Sequence, residues 1–190
     1  MTNASLATAK SRTKSPSKSA APFAVDHIQR KRSRIHGAGV FARRPIAKGT
    51  RIVEYTGEHI SQAEADRRYE DRADDDSHTF LFEVGKNLVI DGGVGGSLAR
   101  FINHSCDGNC EITIEHRRIY IDSIRAIREG EELTYDYWLV CDLDDPSELE
   151  VYACHCGSPN CRGSMLAPKP EPPPRRSRPR PENAAGRARR

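Results

Sequence analysis

Short runs of alternating apolar and polar residues dominate the middle of this 190-residue chain. Alternation with a period of two places successive side chains on opposite faces of a strand. Two pairs of runs are joined by only two residues, Gly85-Lys86 and His116-Arg117, a spacing typical of β-hairpins. The five runs lie at 51–55, 79–84, 87–91, 111–115 and 118–122. Residues 130–137 continue into a further strand. The pattern predicts a mainly β domain of short strands.

One helix is predicted, from Ser61 to about Arg72. Ser61 is a favourable N-cap residue, and Glu64 follows three positions later, as in a capping box. The domain is therefore expected to contain little helix.

Charge is distributed unevenly along the chain, which carries 30 basic and 27 acidic residues and a net charge of +3. Residues 1–34 and 167–190 have net charges of +7 and +6, whereas residues 35–166 have a net charge of −10. An acidic central part attracts a cationic substrate, and basic tails attract polyanions such as nucleic acid. An equally favoured interpretation is that the charged tails only keep the protein in solution.

Both ends have compositions typical of disorder. The first 25 residues are of low complexity, and residues 167–190 hold seven of the twelve prolines beside an arginine-rich run. We therefore predict a disordered basic tail over residues 1–30 and a disordered Pro/Arg-rich tail over residues 167–190.

No apolar run approaches the roughly 20 residues that span a bilayer, so no membrane partner is expected. The first residues lack the apolar stretch of a secretory signal, although an organelle presequence remains open. We expect an intracellular, non-secreted protein, nuclear or chromatin-bound in a eukaryote and cytoplasmic in a bacterium. In such a reducing compartment, clustered cysteines favour metal binding over disulfides.

Three of the six cysteines fall within eight residues, at Cys154, Cys156 and Cys161. Zinc prefers four tetrahedral ligands, so the set is one ligand short. The candidates for the fourth are Cys106, Cys110, Cys141 and His155. Four cysteines would make a closed, structural site without a catalytic position. The alternative is a loop of unmetallated thiols.

A glycine motif, Gly37 to Ala42, matches the Gly-x-Gly-x-x-Ala dinucleotide pattern. That pattern needs a hydrophobic strand before it and a helix after it. A highly basic stretch precedes the motif and Pro45 follows it, so a Rossmann site is disfavoured. The glycines instead indicate a turn where the backbone approaches another group closely.

Two further segments carry polar side chains that are suited to a site. Residues 100–106 place an asparagine beside a histidine, and residues 132–137 place Tyr135 and Tyr137 at alternate positions on one strand face. Taken singly, each segment is more typical of a satisfied polar turn or of ordinary packing.

The order of the motifs resembles a SET domain. The matching segments are Gly37-Ala-Gly39-Val-Phe41, Glu54-Tyr-Thr-Gly-Glu58, Ala99-Arg-Phe-Ile-Asn-His-Ser-Cys106 and Glu132-Leu-Thr-Tyr-Asp-Tyr137. The resemblance implies a SET domain over residues 31–142, with the β-clip fold of small curved sheets and a pseudoknot. It also implies a post-SET zinc element over residues 150–166.

The resemblance also implies roles for individual residues. Tyr137 corresponds to the catalytic tyrosine, with Tyr55 and Tyr135 as walls of a lysine channel. Cys106 corresponds to the fourth zinc ligand beside Cys154, Cys156 and Cys161. The residues implied to bind S-adenosylmethionine are Gly37, Ala38, Gly39, Val40, Phe41, Arg100, Asn103 and His104.

The implied function is S-adenosylmethionine-dependent N-methylation of a lysine in a basic protein such as a histone. The Tyr135 hydroxyl predicts mainly monomethylation, because a water held there would occupy the room of further methyl groups. Residues 8–15 have the composition of a histone tail, so self-methylation at Lys10 or Lys14 is a hypothesis, with an ordinary basic linker as the favoured interpretation. The alternative function is a non-catalytic, zinc-stabilised chromatin or nucleic-acid binding module.

Overall fold

The computed structural model describes residues 6–7, 23–69, 80–140 and 150–168. Within these ranges the chain forms twelve short strands, one α-helix and three short 3₁₀ helices. The strands are β1 (Leu6–Ala7), β2 (Ile28–Arg32), β3 (Ala38–Ala42), β4 (Arg51–Tyr55), β5 (Glu58–Ile60), β6 (Leu81–Gly85), β7 (Leu88–Asp91), β8 (Asn103–His104), β9 (Cys110–Glu115), β10 (Arg118–Ser123), β11 (Glu132–Tyr135) and β12 (Leu139–Val140). The helix α1 spans Gln62–Tyr69. The predicted mainly β architecture is confirmed.

The strands form three small sheets rather than one large one. Their orders are β12-β1-β6-β7-β5, β4-β10-β9 and β2-β3-β11-β8. Both predicted hairpins are present, β6 with β7 and β9 with β10, each antiparallel. His116 and Arg117 connect the second hairpin with positive φ angles of 51° and 63°. Two consecutive positive φ values match the twist of the flanking strands, which closes the hairpin in two residues.

The helix is capped as predicted at its first turn, but by half of the expected motif. The Glu64 amide donates to Ser61 Oγ at 3.2 Å. The Glu64 carboxylate instead accepts hydrogen bonds from Arg67 and Arg68. Charge pairing with two arginines therefore replaces the reciprocal bond to the Ser61 backbone. The predicted residues beyond Tyr69 lie outside the described part of the chain.

The interiors of the three sheets share one hydrophobic core, built mostly from β-branched residues that suit a pleated surface. Its fully buried members include Val40, Ile52, Ile102, Ile119, Ile121, Ile127 and Leu133. A second, smaller cluster packs α1 against β6 and β7 through Ala65. The common core fixes the relative positions of the strands that carry the candidate site.

The predicted boundary of the first tail needs correction. Residues 28–30 belong to β2, which pairs with β3, and Ile28 is buried in the hydrophobic core at the start of this strand. Residues 6–7 also form a strand, β1. The rest of this tail, including Lys10 and Lys14, and residues 169–190 of the second tail lie outside the described residues. In the described part of the chain, no helix is long and apolar enough to cross a membrane.

Candidate active site and cysteine cluster

Residues 103–109, here called the threaded segment, run beneath β11. Its first two residues form β8, which pairs in parallel with β11 through Asn103↔Thr134 and His104↔Tyr135. The segment then turns back, and the Asn109 amide donates to the Thr134 carbonyl at 3.0 Å. A Cβ on Gly108 would lie 2.7 Å from that carbonyl oxygen, so only glycine fits here.

Asn109 holds the threaded segment to β11 from within. The residue is 2% exposed. Its Oδ1 accepts from the Thr134 amide at 2.9 Å, and its Nδ2 donates to the Glu132 carbonyl at 2.7 Å. The side-chain amide of Asn109 thus bonds to the backbone of β11 in the way that a neighbouring strand would. These backbone groups would otherwise be buried without partners, which would destabilise the fold.

Three tyrosines converge at the end of β11, and we call them the tyrosine cluster: Tyr55, Tyr135 and Tyr137. The ring centroids of Tyr135 and Tyr137 are 4.9 Å apart. Tyr55 and Tyr135 are each 4% exposed. Burial raises the pKa of all three hydroxyls, and the proximity of Tyr137 raises the pKa of the other two further. The three phenols therefore remain neutral across the physiological range.

Hydrogen bonds fix the orientation of two of these rings. The Tyr137 hydroxyl donates to the Ile102 carbonyl at 2.7 Å, directly before the threaded segment. The Tyr55 hydroxyl donates to the Phe80 carbonyl at 2.8 Å, at the start of β6. The ring of Tyr55 also packs against Phe82, with 5.4 Å between centroids. The cluster is thereby held between β6 and the threaded segment.

His104 connects the tyrosine cluster to the cysteines. Its Nδ1 accepts from the Tyr137 amide at 3.1 Å, so the proton of the neutral imidazole lies on Nε2, which is 3.4 Å from Cys106 Sγ. Burial lowers the pKa of His104 to about 4, although Asp136 opposes this shift. The imidazole is therefore neutral near pH 7 and donates towards the sulfur.

The glycine-containing strand β3 pairs with β11 and contacts the threaded segment through Asn103. Asn103 Nδ2 donates to the carbonyls of His36 and Ala38 and to Glu132 Oε1, at 3.2, 3.1 and 2.9 Å. A Cβ on Gly39 would overlap the Glu132 carboxylate. The predicted close approach at this glycine is therefore explained by a carboxylate of β11.

Arg100 is held by stacking and by one backbone contact. Its guanidinium lies 4.7 Å from the centroid of the Phe101 ring, and Nη1 donates to the Gly92 carbonyl at 2.8 Å. Among the described residues, its Nε is the buried side-chain nitrogen or oxygen without a hydrogen-bond partner. An unsatisfied buried donor is costly, so this atom is suited to a polar ligand.

Four thiols meet below the threaded segment and form what we call the cysteine cluster: Cys106, Cys154, Cys156 and Cys161. Their sulfur atoms all lie within 4.8 Å of one another, and Cys106 and Cys154 are 3.7 Å apart. Tetrahedral zinc with Zn–S bonds of about 2.3 Å requires S···S distances of about 3.8 Å. The donor set and its spacing therefore fit zinc.

The thiols of the cysteine cluster differ in acidity: burial raises the pKa of Cys106 and of Cys154, whereas the pKa of Cys156 is lowered. Burial opposes ionisation of Cys156, but hydrogen bonds from the Ser158 backbone and the neighbouring thiols lower its pKa to about 6. The other candidates for the fourth ligand are not in the described cluster. Cys110 is buried in β9, and burial raises its pKa to about 12. Cys141 lies outside the described residues.

Several residues of this region were not singled out from the sequence. Arg162 forms a bidentate ion pair with Asp136, with N···O distances of 2.7 and 2.8 Å, and its amide donates to Cys106 Sγ. The sequence indicates a role for Asp136 only through its position between the two tyrosines of the 132–137 motif. The sequence offers less indication that Glu132 and Asn109 belong to the site, because neither residue forms a distinctive pattern with its neighbours.

The family model of the SET domain matches residues 37–138. The chain belongs to the SET-domain family. The matched residues of this SET domain include the β3 glycines, the threaded segment and the tyrosine cluster, whereas Cys154, Cys156 and Cys161 follow the matched range.

Curated relatives of this SET domain include histone-lysine N-methyltransferases. One from Saccharomyces cerevisiae, H3 lysine-4 specific, is 43% identical over 139 residues, covering 70% of this chain and 13% of the relative. SETD1B from Homo sapiens is 42% identical over 141 residues, covering 70% of this chain and 7% of the relative. The chain therefore spans only a small part of the length of these relatives.

Solved structures agree with the assignment of a SET domain. The polycomb repressive complex 2 of Chaetomium thermophilum matches with a TM-score of 0.54 and 33% identity, covering 62% of this chain and 16% of that chain. A structure of ctPRC2 in an autoinhibited conformation bound to S-adenosylmethionine matches with a TM-score of 0.53 and 34% identity, covering 58% of this chain and 15% of that chain.

Proposed function

We propose that this chain is an S-adenosylmethionine-dependent protein-lysine N-methyltransferase whose substrate is a basic, histone-type protein. The observation that carries the proposal is the position of Tyr137. Its hydroxyl and ring lie between the threaded segment and two further buried tyrosines, and its backbone contacts His104. A cluster of neutral phenols beside the threaded segment is suited to receiving an alkyl amine, because it carries no charge that would compete with the amine.

The cofactor would be held by residues of β3, by the first two residues of the threaded segment and by Arg100, which precedes that segment. The proposed contacts are Gly37, Ala38, Gly39, Val40, Phe41, Arg100, Asn103 and His104. When bound, S-adenosylmethionine supplies a methyl group on a positively charged sulfur. The unsatisfied Nε of Arg100 supports a polar ligand here, and the neutral His104 adds no charge that would repel the sulfonium.

The chain's own residues would prepare the lysine. An unperturbed lysine amine has a pKa of about 10.4, so it must lose a proton before it can attack. The apolar faces of Tyr55 and Tyr135 would exclude water from the amine, and desolvation lowers the pKa of a buried amine. The neutral Tyr137 hydroxyl, already donating to the Ile102 carbonyl, keeps its lone pairs free to accept from the amine and orient it.

The proposed product is mainly monomethyl-lysine, because of the hydroxyl of Tyr135. A phenol at this wall can hold a water in the space that further methyl groups require. The acidic central part of the chain supports a lysine- and arginine-rich substrate. A histone-type substrate would place the protein at chromatin.

The cysteine cluster is proposed to hold a structural zinc ion. All four positions would be filled by thiolates, so the ion would have no open site for substrate. Its role would be to fix residues 154–164 against Cys106 and hence against the threaded segment.

A methyl-transfer assay on histones and small basic proteins, read by mass spectrometry, tests this function. We expect monomethyl-lysine from the unmodified protein. Tyr137→Phe should lower kcat by about 100-fold while the fold persists, because misplacing the reacting groups costs about this factor. Tyr135→Phe should shift the product towards dimethyl- and trimethyl-lysine.

Tyr120→Phe provides the matched control. Tyr120 lies on β10 and stacks with Phe23, and it is not a member of the tyrosine cluster. Its substitution should leave both the rate and the product unchanged. Full activity of a folded Tyr137→Phe protein would contradict the proposed role of Tyr137.

A further inference from the structure

Two short turns that precede β4 and β11 lie side by side at one end of the core. Ile46 and Ile127 form an antiparallel bridge, with two backbone hydrogen bonds of 2.9 Å between them. Both isoleucines are buried. A glycine with a φ of 80° closes each turn. The bridge therefore holds residues 43–48 alongside residues 125–130, and we call the surface of these two segments the basic surface.

The basic surface carries five positively charged side chains and one negatively charged one. The five cations are all exposed: Arg43, Arg44, Lys48, Arg125 and Arg128. The acidic residue of the two segments is Glu129, which is also exposed. The two segments thus have a net charge of +4, although residues 35–166 together have a net charge of −10. A positive region therefore lies on a predominantly acidic domain.

Four of the five cations are not neutralised by the protein itself. Within the described ranges Arg43, Arg44, Lys48 and Arg128 form no ion pair, whereas Arg125 pairs with Glu131. By contrast, the arginines of α1 and of the sheet β4-β10-β9 all bond to carboxylates. Cations that lie close together repel one another, so a polyanion is the partner that would stabilise this surface.

The composition of the basic surface favours a nucleic-acid duplex as the polyanion. Three of the four unpaired cations are arginines, whose planar guanidinium group bonds to phosphate in a bidentate way. The exposed uncharged residues between the cations are Pro45, Ala47 and Ala126, which are short and leave room for a wide backbone. Neither segment contains an aromatic residue on which the bases of a single strand could stack.

The basic surface lies away from the tyrosine cluster. It precedes β11, whereas Tyr135 is the last residue of that strand. Five residues separate Gly130 from Tyr135, which corresponds to about 16 Å of extended chain. A duplex on the basic surface would therefore leave the tyrosine cluster open.

We propose that the basic surface binds the sugar–phosphate backbone of duplex nucleic acid without regard to sequence. The four unpaired cations contact phosphates, and each contact releases counterions from the duplex. The surface belongs to the folded domain, whereas the sequence alone led us to expect polyanion binding by the basic ends of the chain. Binding here needs no methyl transfer, so the inference does not depend on the proposed function.

The test uses the full chain and a fluorescein-labelled DNA duplex of about 20 base pairs, with anisotropy measured between about 0.05 and 0.2 M salt. The test variant is Arg44→Gln/Lys48→Gln. Lys86→Gln/Arg117→Gln is the matched control, because it removes one lysine and one arginine from exposed hairpin turns elsewhere in the domain.

Loss of two phosphate contacts has a defined size. At about 0.1 M salt the test variant should bind the duplex about 50-fold more weakly, and its slope of log affinity against log salt concentration should be shallower by about 2. The control should bind as the unmodified protein does. Arg43→Gln/Arg128→Gln should repeat the loss, and urea unfolding should show that every variant remains folded, because all of these side chains are exposed.

Two outcomes would overturn the proposal. Equal losses in the test variant and the control, or no loss in either, would place duplex binding in the basic ends of the chain or in the overall charge. Displacement of the labelled duplex by polyglutamate as effectively as by unlabelled duplex would point to an acidic protein as the partner. Because binding is measured without S-adenosylmethionine, neither outcome can be confused with failure of the proposed methyl transfer.

Discussion

The sheet β4-β10-β9 and the threaded segment under β11 hold their polar groups in different ways. In the sheet, Arg51 bonds to both Glu115 and Asp122, and all three side chains retain contact with solvent. In the threaded segment, Asn109 is almost fully buried and bonds to backbone groups that water does not reach. Charged surface pairs can exchange partners with water, whereas buried amides cannot. The two regions should therefore respond differently to the loss of one polar group.

The difference has a functional meaning. The threaded segment carries Asn103, His104 and Cys106, which face the glycine strand, the tyrosine cluster and the cysteine cluster respectively. A shift of the threaded segment would therefore disturb its contacts with the glycine strand, the tyrosine cluster and the cysteine cluster together. The sheet β4-β10-β9 supports the core but contributes one residue, Tyr55, to the site.

Loss of the proposed zinc site should produce the largest effect. Cys161→Ser should abolish binding of one zinc ion per chain and lower the free energy of unfolding by about 3 kcal/mol or more, because structural zinc contributes directly to folding. Atomic emission and urea unfolding measure the two quantities. Cys110→Ala is the control: it removes a buried thiol outside the cluster and should retain the metal. Retention of zinc by Cys161→Ser would refute the assigned ligand set.

Asn109→Ala should be the most damaging substitution of the threaded segment apart from the metal ligands. It leaves the Thr134 amide and the Glu132 carbonyl without partners, so we expect a loss of about 3 kcal/mol in urea unfolding. Thr113→Val makes the comparison in the sheet. Thr113 is also buried, but Asp122, which accepts its hydrogen bond, still accepts one from Arg51 after the substitution. The free energy of unfolding should therefore fall by only about 1 kcal/mol. Equal losses would remove the distinction between the regions.

The sequence predicted the sheet better than the threaded segment. Alternation alone places Ile119 and Ile121 inside and fixes the hairpin around His116-Arg117, because both depend on local periodicity. The threaded segment depends on pairing between residues 103–109 and 132–135, which are distant in the chain. Local patterns carry no information about such pairing. Its adjacent asparagine and histidine indicated a site or an ordinary polar turn equally well from the sequence, and only the resemblance to a family implied their roles.

The same contrast holds within the candidate site. Three cysteines were recognisable as a metal-binding set by spacing, but spacing left four candidates for the fourth ligand, and the structure brings Cys106 to the other three. Arg162 and Asp136 form an ion pair across 26 residues that no periodicity indicates. Part of the stretch 23–32 falls in the predicted tail because its composition is basic, and the burial of the single residue Ile28 is visible only in the structure.

Glu132→Gln tests how far the proposed cofactor contacts of β3 and Asn103 depend on one carboxylate. Glu132 accepts from both Asn103 Nδ2 and Ser33 Oγ, and an amide offers only one accepting oxygen. We expect S-adenosylmethionine to bind about tenfold more weakly by calorimetry, which corresponds to about 1.4 kcal/mol. Glu54→Gln is the matched change in the sheet, where Glu54 pairs with Arg118 at the surface. It should leave cofactor affinity unchanged, and a similar loss in both proteins would argue against a specific role for Glu132.

The smallest effect is expected at the surface of the sheet, and it depends on pH. The hydrogen bond from Arg51 lowers the pKa of Glu115 below its usual value of about 4.5. A carboxylate with a lower pKa in the folded state stabilises the fold above its unfolded pKa, and this contribution is lost as the pH falls through the folded pKa. Because 38% of the Glu115 side chain is exposed, solvent screening limits the contribution to under about 1 kcal/mol. Glu115→Gln should therefore differ slightly from the unmodified protein in urea unfolding at pH 7, and the difference should shrink below about pH 4. Glu129→Gln, at an exposed position of the same charge, is the control and should leave the free energy of unfolding at pH 7 unchanged. A difference that grows as the pH falls would show that the Arg51–Glu115 pair does not stabilise the sheet.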